Sequence, residues 1–231
     1  MTLKLYYHPL ASFCWKALIA LYENGTQFEA IAVDLADADA SAAFRAVWPM
    51  GKFPVLRDDA RDCTVAESTA VIEYLDSFYA GPSRLVPDDP DRAWRVRMWD
   101  RVLDNFVHEP MQKIVTDTLR PEGKNDAVGV EKAKETLHTA YPLIAGQLTT
   151  SAWIVGDTFT LADCSAAPAL FYANLVVPFE KAHPRLAAYL DRLTSRRSFA
   201  RVLREAEPYF AQFPMERKPQ IRNRDGDRSP S

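Results

Sequence analysis

The sequence changes its pattern near residue 80, and this change is what most constrains the fold. Before it, short β-branched and aromatic runs alternate with apolar stripes that repeat every three or four residues, so strands and helices are expected in turn. The predicted order is β-α-β-α-β-β-α. The segments are Leu3–Tyr7, Ser12–Asn24, Phe28–Val33, Ala38–Val47, Pro54–Leu56, Cys63–Val65 and Ser68–Tyr79, with a hairpin turn at 57–62. This order predicts an α/β domain at 1–80.

The second half of the chain predicts helices only. A linker rich in proline and aspartate occupies 81–91, and amphipathic stretches follow it. The stretches are Arg92–Leu119, Lys124–Leu148, Leu161–Val177, His183–Arg196 and Phe199–Phe210. They predict an all-helical bundle domain at 92–213. Residues 214–231 are polar and basic without periodicity, which predicts a mobile tail.

The composition is ordinary for a soluble globular protein, with 48% hydrophobic and 26% charged residues. A net charge of -3 at pH 7 gives no global attraction to nucleic acid. Three widely separated cysteines, Cys14, Cys63 and Cys164, argue against a disulfide framework or a zinc site. The start of the chain lacks a signal-peptide pattern, and no apolar run approaches the roughly 18 residues of a membrane span. We therefore expect a cytoplasmic protein with no metal, membrane or nucleic-acid partner.

Pro54 stands at the start of the third predicted strand, within Gly51-Lys52-Phe53-Pro54-Val55-Leu56. Proline has no N–H to donate, so it is tolerated where a strand begins. The bond between Phe53 and Pro54 is also a realistic place for a cis peptide bond. The residues alone leave two interpretations open: a trans bond, or a cis bond that frees the main chain of Phe53 for an extended ligand.

Glu67 and Ser68 precede the third predicted helix, with Ser68 as its expected N-cap. The free amides of a first helical turn suit a carboxylate, and Glu67 beside them offers an acceptor for an ammonium group. A carboxylate and an ammonium on one carbon describe the end group of an amino acid. The alternative is a plain helix cap beside a surface acid.

A second helix start is specified by Phe159-Thr160-Leu161-Ala162-Asp163-Cys164. Thr160 as N-cap and Asp163 three residues later form a capping box, and Phe159 and Cys164 occupy the positions of a hydrophobic staple. We interpret this segment as structural and expect no catalytic role from it.

Four motifs together resemble those of the cytosolic glutathione S-transferases. They are Tyr7-His8-Pro9-Leu10-Ala11-Ser12, Gly51-Lys52-Phe53-Pro54-Val55-Leu56, Glu67-Ser68 and Phe159-Thr160-Leu161-Ala162-Asp163, and the resemblance extends from about Lys4 to Phe210. It implies a thioredoxin-like N-terminal domain that holds glutathione and a helical domain that supplies the site of the second substrate. It also implies a cis Pro54 and a homodimer.

The resemblance also implies binding roles for particular residues. Phe53, beside Pro54, would bind the cysteinyl part of glutathione through its main chain. Glu67 and Ser68 would hold the γ-glutamyl amino and carboxylate groups. Lys52 would reach a glutathione carboxylate, with a simply solvated lysine as the alternative.

Three side chains compete for the catalytic position. Ser12 falls where the bacterial beta class carries its catalytic cysteine and near the serine of theta-like classes, and it is the first candidate. Tyr7 falls where the tyrosine classes place their catalytic hydroxyl, and it is the second. Cys14 matches the second cysteine of a thioredoxin-type pair, but Ala11 stands at the first position, so dithiol cycling is not expected. We interpret Cys14 as a small buried side chain.

Further residues are candidates around that position. His108 resembles a beta-class histidine near the glutathione sulfur, and the alternative is a structural histidine on an amphipathic helix. A substrate pocket for the electrophile is predicted from Leu10, Phe13, Phe106 and Met111, with ordinary core packing as the alternative for each.

The predicted function is a glutathione transferase that activates the thiol of glutathione and adds it to a small hydrophobic electrophile. A serine in place of the beta-class cysteine cannot form a mixed disulfide, which disfavours a reductase. One alternative is a non-catalytic glutathione- or ligand-binding or regulatory member of the fold. Another is a zeta-like maleylacetoacetate isomerase, whose Ser-Ser-Cys run before Trp-Arg is matched only in part by residues 11–16.

Overall fold

The structure, a computed structural model, describes residues 3–82 and 84–221. Its N-terminal part is built on a four-stranded sheet of order β2-β1-β3-β4. The strands are β1 (Leu3–Tyr7), β2 (Glu29–Ala32), β3 (Val55–Asp58) and β4 (Cys63–Ala66). Strand β1 pairs parallel with β2 and antiparallel with β3, and β3 pairs antiparallel with β4. The helices of this part are α1 (Ser12–Asn24), α2 (Ala38–Val47) and α3 (Ser68–Phe78). The predicted β-α-β-α-β-β-α order and the thioredoxin-like domain are confirmed.

The sequence explains how the first helices end and begin. Gly25 follows α1 with a φ of 64°, and its N–H caps the carbonyls of the last turn, as glycine does at this position without strain. The side chain of Asp37 accepts a hydrogen bond from the N–H of Ala40 and caps the start of α2. Both signals can be read locally, which is why the bounds predicted for α1 and α2 agree with the structure.

The hairpin between β3 and β4 is tighter than predicted, because Arg57 and Asp58 belong to β3 and not to the turn. The buried carboxylate of Asp58 accepts hydrogen bonds from the N–H groups of Ala60 and Arg61, which closes the turn. It also accepts one from the hydroxyl of Tyr74 at 2.8 Å. Strand β2 is shorter than predicted by one residue at each end.

The second part of the chain is helical, as predicted. Its elements are α4 (Pro90–Leu103), a π-helical turn (Asp104–His108), α5 (Glu109–Asp117), α6 (Ala127–Gln147), α7 (Leu161–Val176), α8 (Pro184–Ser195), α9 (Arg197–Ala206) and a 3₁₀ turn (Glu207–Gln212). An isolated bridge joins Trp153 to Gly156 in the connection before α7. The predicted capping box at Thr160 and Asp163 is present, with the Thr160 N–H 2.8 Å from the carboxylate of Asp163.

The single long helix predicted at Arg92–Leu119 is wrong, because a π-helical turn at Asp104–His108 divides it. Pro110 lies just beyond this turn and cannot donate a backbone hydrogen bond. Its ring also clashes with the carbonyl four residues earlier in a regular helix, so a wider turn at this point relieves the clash. Pro208 likewise limits α9, which ends at Ala206 and continues as the 3₁₀ turn.

The prediction of a mobile tail from residue 214 is wrong for residues 214–221, which pack on the helical part. Met215 and Ile221 contact the hydrophobic core, and Pro219 is buried. The hydroxyl of Thr118 donates to the Pro214 carbonyl at 3.0 Å, and Arg217 donates to the Asn174 carbonyl at 3.1 Å. Scattered apolar residues in a polar segment, too sparse to show periodicity, account for the difference. The rest of the predicted tail, 222–231, lies outside the described residues.

One hydrophobic core extends across both parts of the chain. The side chain of Trp15, on α1, is fully buried and its ring centroid lies 4.7 Å from that of Tyr172 on α7. Phe199 and Phe210 lie 6.0 and 6.4 Å from the same indole. Within residues 3–82 and 84–221, no helix is both long and apolar enough to cross a membrane.

Candidate active site

The strand register brings three of the four sequence motifs to one end of the sheet. Tyr6, near the end of β1, is the partner of Val55, which begins β3. Val55 is in turn the partner of Ala66, which ends β4. The loop before α1, the segment before β3 and the start of α3 therefore meet at this end, which brings the candidate residues Ser12, Phe53 and Glu67 to one side of the sheet.

The bond between Phe53 and Pro54 is cis, as the resemblance implied. The ring of Phe53 stacks on Phe44 of α2, with centroids 4.7 Å apart, and lies 6.5 Å from His8. These contacts hold Phe53 between α2 and the loop that leads to α1. Lys52 is exposed to solvent beside it.

Glu67, and not Ser68, precedes α3 as its N-cap, so the prediction of Ser68 as N-cap is wrong. Ser68 is the first helical residue and is 5% exposed. Glu67 has a φ of 66° and a ψ of 121°, a conformation that residues with a side chain rarely adopt. Such backbone strain persists where the surroundings impose it, and it concentrates at ligand-binding positions. The side chain of Glu67 is exposed to solvent at the N-terminus of α3.

Ser12 is the first residue of α1 and is 4% exposed. Its hydroxyl oxygen lies 3.5 Å from Nε2 of Gln112 on α5, which reaches it from the helical part of the chain. The unsatisfied N–H groups of the first turn of α1 make this end of the helix electropositive. Ser12 therefore combines a hydroxyl donor with the positive end of a helix at the end of the sheet.

Tyr7 and Cys14 have different surroundings. Burial raises the pKa of the Tyr7 hydroxyl, and Tyr209 and Glu205 of the C-terminal helices add to the increase. Burial also raises the pKa of the Cys14 thiol to about 12, and this side chain is fully enclosed. A thiol with so high a pKa carries almost no thiolate at neutral pH, so Cys14 is unreactive.

A buried network of charges lies beneath the site and joins the two parts of the chain. Lys16, one helical turn after Ser12, is fully buried, and its ammonium is 2.5 Å from Asp100 and 2.8 Å from Asp104. It also donates to the hydroxyl of Thr69 on α3 at 2.8 Å. Arg101 pairs with both carboxylates from the solvent side. The positive charges of Lys16 and Arg101 thus balance the negative charges of Asp100 and Asp104.

His108 extends this network towards Ser12. Its Nδ1 is 3.2 Å from Asp104, and its ring lies 4.4 Å from that of Phe13, the residue after Ser12. Burial lowers the pKa of His108, although Asp104 opposes this, so the ring is neutral at neutral pH. Burial works against the ionised form of Asp104, but His108 and the charge of Lys16 outweigh it and hold that pKa at about 2. Nε2 of His108 is buried without a partner among the described residues.

The four predicted pocket residues do not share one environment. Leu10 is half-buried, and its carbonyl accepts a hydrogen bond from Tyr172 at 3.0 Å. Phe13 is half-buried against His108, and Phe106 is 50% exposed on the π-helical turn. Met111 is 2% exposed and packs in the core.

The sequence reasoning missed Gln112 and the network of Lys16, Asp100 and Asp104. A local signal exists for the network: Lys16 interrupts an apolar run between Trp15 and Ile19, and the two aspartates are spaced i, i+4, so they lie on one face of a helix. No local signal marks Gln112. Among the described residues, no group of three or more His, Cys, Asp or Glu side chains is arranged to hold a metal ion.

Comparison with known proteins identifies a common family. The chain matches the models of the glutathione S-transferase N-terminal domain at 5–83 and C-terminal domain at 127–192. Glutathione S-transferase 3 of Zea mays is 31% identical over 208 residues, covering 87% of this chain and 93% of that protein.

Solved structures give the same result. A glutathione S-transferase from Methylobacillus flagellatus with glutathione bound has a TM-score of 0.79 and 26% identity, covering 87% of this chain and 98% of that one. A Methylobacterium radiotolerans glutathione S-transferase in complex with glutathione sulfonate has a TM-score of 0.77 and 27% identity, covering 87% and 94%. This chain belongs to the glutathione S-transferase family.

Proposed function

We propose that this protein is a transferase that binds glutathione at the end of the sheet and adds its thiol to a small hydrophobic electrophile. The observation that carries the proposal is Ser12, a hydroxyl at the start of α1, beside the segments that contain Pro54 and Glu67. The relatives crystallised with glutathione and glutathione sulfonate support the same ligand here.

Each part of glutathione has a proposed partner. The main chain of Phe53 binds the cysteinyl part, next to the cis Pro54. The first turn of α3 at Ser68 binds the γ-glutamyl carboxylate, because free helix amides favour an anion, and Glu67 binds the amino group. The exposed Lys52 pairs with a glutathione carboxylate.

Ser12 is the proposed catalytic residue because the reaction needs a thiolate. A thiol with a pKa near 8.5 is only about three per cent ionised at pH 7. A hydrogen bond to sulfur favours the ionised form. Lowering the pKa by about two units needs roughly 2.7 kcal/mol, which is within reach of one charge-assisted hydrogen bond and the N-terminus of α1. Tyr7 is the second candidate for this hydrogen bond.

The electrophile is proposed to bind beside Ser12, against apolar side chains of both parts of the chain. Leu10 and Phe13 lie on the loop and first turn of α1, and Phe106 faces solvent on the π-helical turn. Met111, the fourth residue predicted for this pocket, is buried in the core on α5. His108, fully buried behind Phe13, is proposed to contribute to the glutathione site through this ring.

The test is a titration of the glutathione thiol in the purified protein, followed by thiolate absorbance against pH. Ser12→Ala is expected to raise the thiol pKa by about two units and to lower kcat at pH 7 in proportion. Ser77→Ala, which removes an exposed hydroxyl on α3, is the matched control and leaves both unchanged. Failure of the wild type to bind glutathione would refute the function, and a raised pKa in Tyr7→Phe alone would move the catalytic role to Tyr7.

We also propose that two copies of the chain form a homodimer in the cytoplasm. Trp94 and Met98 of α4 and Phe78 of α3 are large apolar side chains that are 42 to 51% exposed. Trp94 and Met98 line one surface cavity, and contiguous apolar exposure of this kind is typical of contact surfaces. Sedimentation analysis is expected to give twice the mass of one chain, and the mass of a single chain at micromolar concentration would contradict the proposal.

A further inference from the structure

Gln112 is the one side chain of the described helical part whose polar group approaches the proposed catalytic hydroxyl. Its Nε2 lies 3.5 Å from Oγ of Ser12, a few tenths of an ångström longer than a normal N–H···O hydrogen bond. Contacts in a site without its substrate are often long and tighten when the substrate binds. Gln112 is partly exposed, whereas Met111 before it is buried, so its amide faces the site and not the core.

We infer that Gln112 is a positioning residue that orients the Ser12 hydroxyl towards the sulfur of glutathione. The amide nitrogen of glutamine can only donate a hydrogen bond, whereas a serine hydroxyl can accept and donate. Once the oxygen of Ser12 accepts from Gln112, its single proton is left for another acceptor. The thiolate of glutathione is that acceptor under the proposed function, on which this inference rests.

The helix that carries Gln112 is fixed on both sides of it. Lys113, the next residue, pairs with Asp126 at 2.6 Å and holds α5 to the start of α6. The hydroxyl of Thr116 donates to the Gln112 carbonyl at 2.7 Å. Four residues before Gln112, His108 is enclosed and bonded to Asp104. A donor on such a supported element is held in place before the substrate arrives.

The inferred contact has a further electrostatic effect. A hydroxyl that accepts one hydrogen bond becomes a stronger donor in the next, by about 10–30% per bond. If Ser12 lowers the thiol pKa by about two units, loss of the Gln112 donor should raise it by about 0.5. An acceptor at the same position should do more, because it would compete with the sulfur for the proton of Ser12.

The experiment measures the pKa of protein-bound glutathione by thiolate absorbance in full-length variants. Gln112→Met removes the donor at similar size and is expected to raise the thiol pKa by about 0.5. Gln112→Glu replaces the donor with an acceptor of the same shape. It is expected to raise the thiol pKa nearly as far as Ser12→Ala does. Thr116→Glu places the same charge one turn further along the same face of α5, where Thr116 is exposed, and Thr116→Val beside it accounts for the lost hydroxyl bond to the Gln112 carbonyl.

The double variant Ser12→Ala with Gln112→Glu separates the two effects. If Gln112 acts through Ser12, then in the Ser12→Ala background Gln112→Glu raises the thiol pKa of glutathione by no more than Thr116→Glu does. If Gln112→Glu shifts the thiol pKa equally with and without the serine, the inference is overturned. It is also overturned if both Gln112 variants leave the thiol pKa unchanged while Ser12→Ala raises it. An unchanged pKa in Ser12→Ala itself would instead refute the proposed role of Ser12, and with it this inference.

Discussion

His108 is a fully buried titratable side chain of the described chain. A histidine that is enclosed and neutral in the folded protein, with a pKa below 6.5, becomes free to ionise when the chain unfolds. The unfolded state therefore binds more protons than the folded state in the window below pH 6.5. In that window, His108 makes the free energy of unfolding fall as the pH falls.

We expect this dependence to be visible in chemical unfolding between pH 7 and pH 5. One group that ionises only in the unfolded state changes the free energy of unfolding by up to about 1.4 kcal/mol per pH unit. His108→Gln is expected to flatten the slope whatever its effect on stability at pH 7. His138→Gln, at an exposed position on α6, is the control that keeps the wild-type slope. Equal slopes in wild type and His108→Gln would contradict this account.

At the scale of single residues, the sequence predicted those site residues that local patterns mark. Ser12 after a strand and Pro54 before one are recognisable from their neighbours in the chain. The partners of Lys16 and Ser12 are not, because Asp104 lies 88 positions and Gln112 lies 100 positions away. Glu67 is a different case: its positive φ is imposed by the fold around it, and glutamate gives no sign of such a conformation.

At the scale of elements, helix starts with a capping residue and helix ends with glycine were predictable, because their signals are local. The π-helical turn at Asp104–His108 was not predicted, since its apolar pattern is close to that of a continuous helix. The turn matters because it carries both Asp104 and His108. Asp104 reaches back to Lys16 of α1, so an irregular turn in one part of the chain binds a regular helix in the other.

The Lys16 network makes a prediction about how α1 and α4 are held together. Removing one partner of a buried ion pair leaves an uncompensated charge and typically costs 3–5 kcal/mol. Lys16→Met leaves Asp100 and Asp104 with Arg101 alone, so we expect a loss of about that size in urea unfolding. Lys134→Met breaks an exposed pair with Glu131 and should cost at most about 1 kcal/mol.

A double variant tests whether charge balance is the cause. Asp104→Asn in the Lys16→Met background restores one negative charge for each positive charge in the network. The double variant is therefore expected to lose less stability than the sum of the two single variants. Additive losses, or a Lys16→Met cost no larger than that of Lys134→Met, would show that the network does not hold these helices together through charge.

At the scale of the whole molecule, the two parts of the chain are not separate cores joined by a linker. Trp15 belongs to the α/β part but is enclosed by Tyr172, Phe199 and Phe210 of the helical part. At a second contact, Nε and Nη2 of Arg196 donate hydrogen bonds to the carboxylate of Glu23 on α1, at 2.6 and 2.7 Å. The sequence predicted both parts but not their shared core, because helical periodicity tells which face is apolar and not what covers it.

A shared core predicts that both parts unfold together, and Trp15 is the residue to test. Replacing a buried tryptophan by alanine costs about 3–5 kcal/mol. We expect Trp15→Ala to lower hydrogen-exchange protection by the same free energy in the β1 strand and in α7, at a fixed protein concentration. Leu143→Ala removes an apolar side chain of α6 that is 56% exposed and lies outside the proposed dimer surface, and it should change neither. Loss of protection confined to one part would mean that the two parts unfold independently. The proposed site needs Ser12 from one part and Gln112 from the other. It would then depend on a contact between the parts that is weaker than a shared core provides.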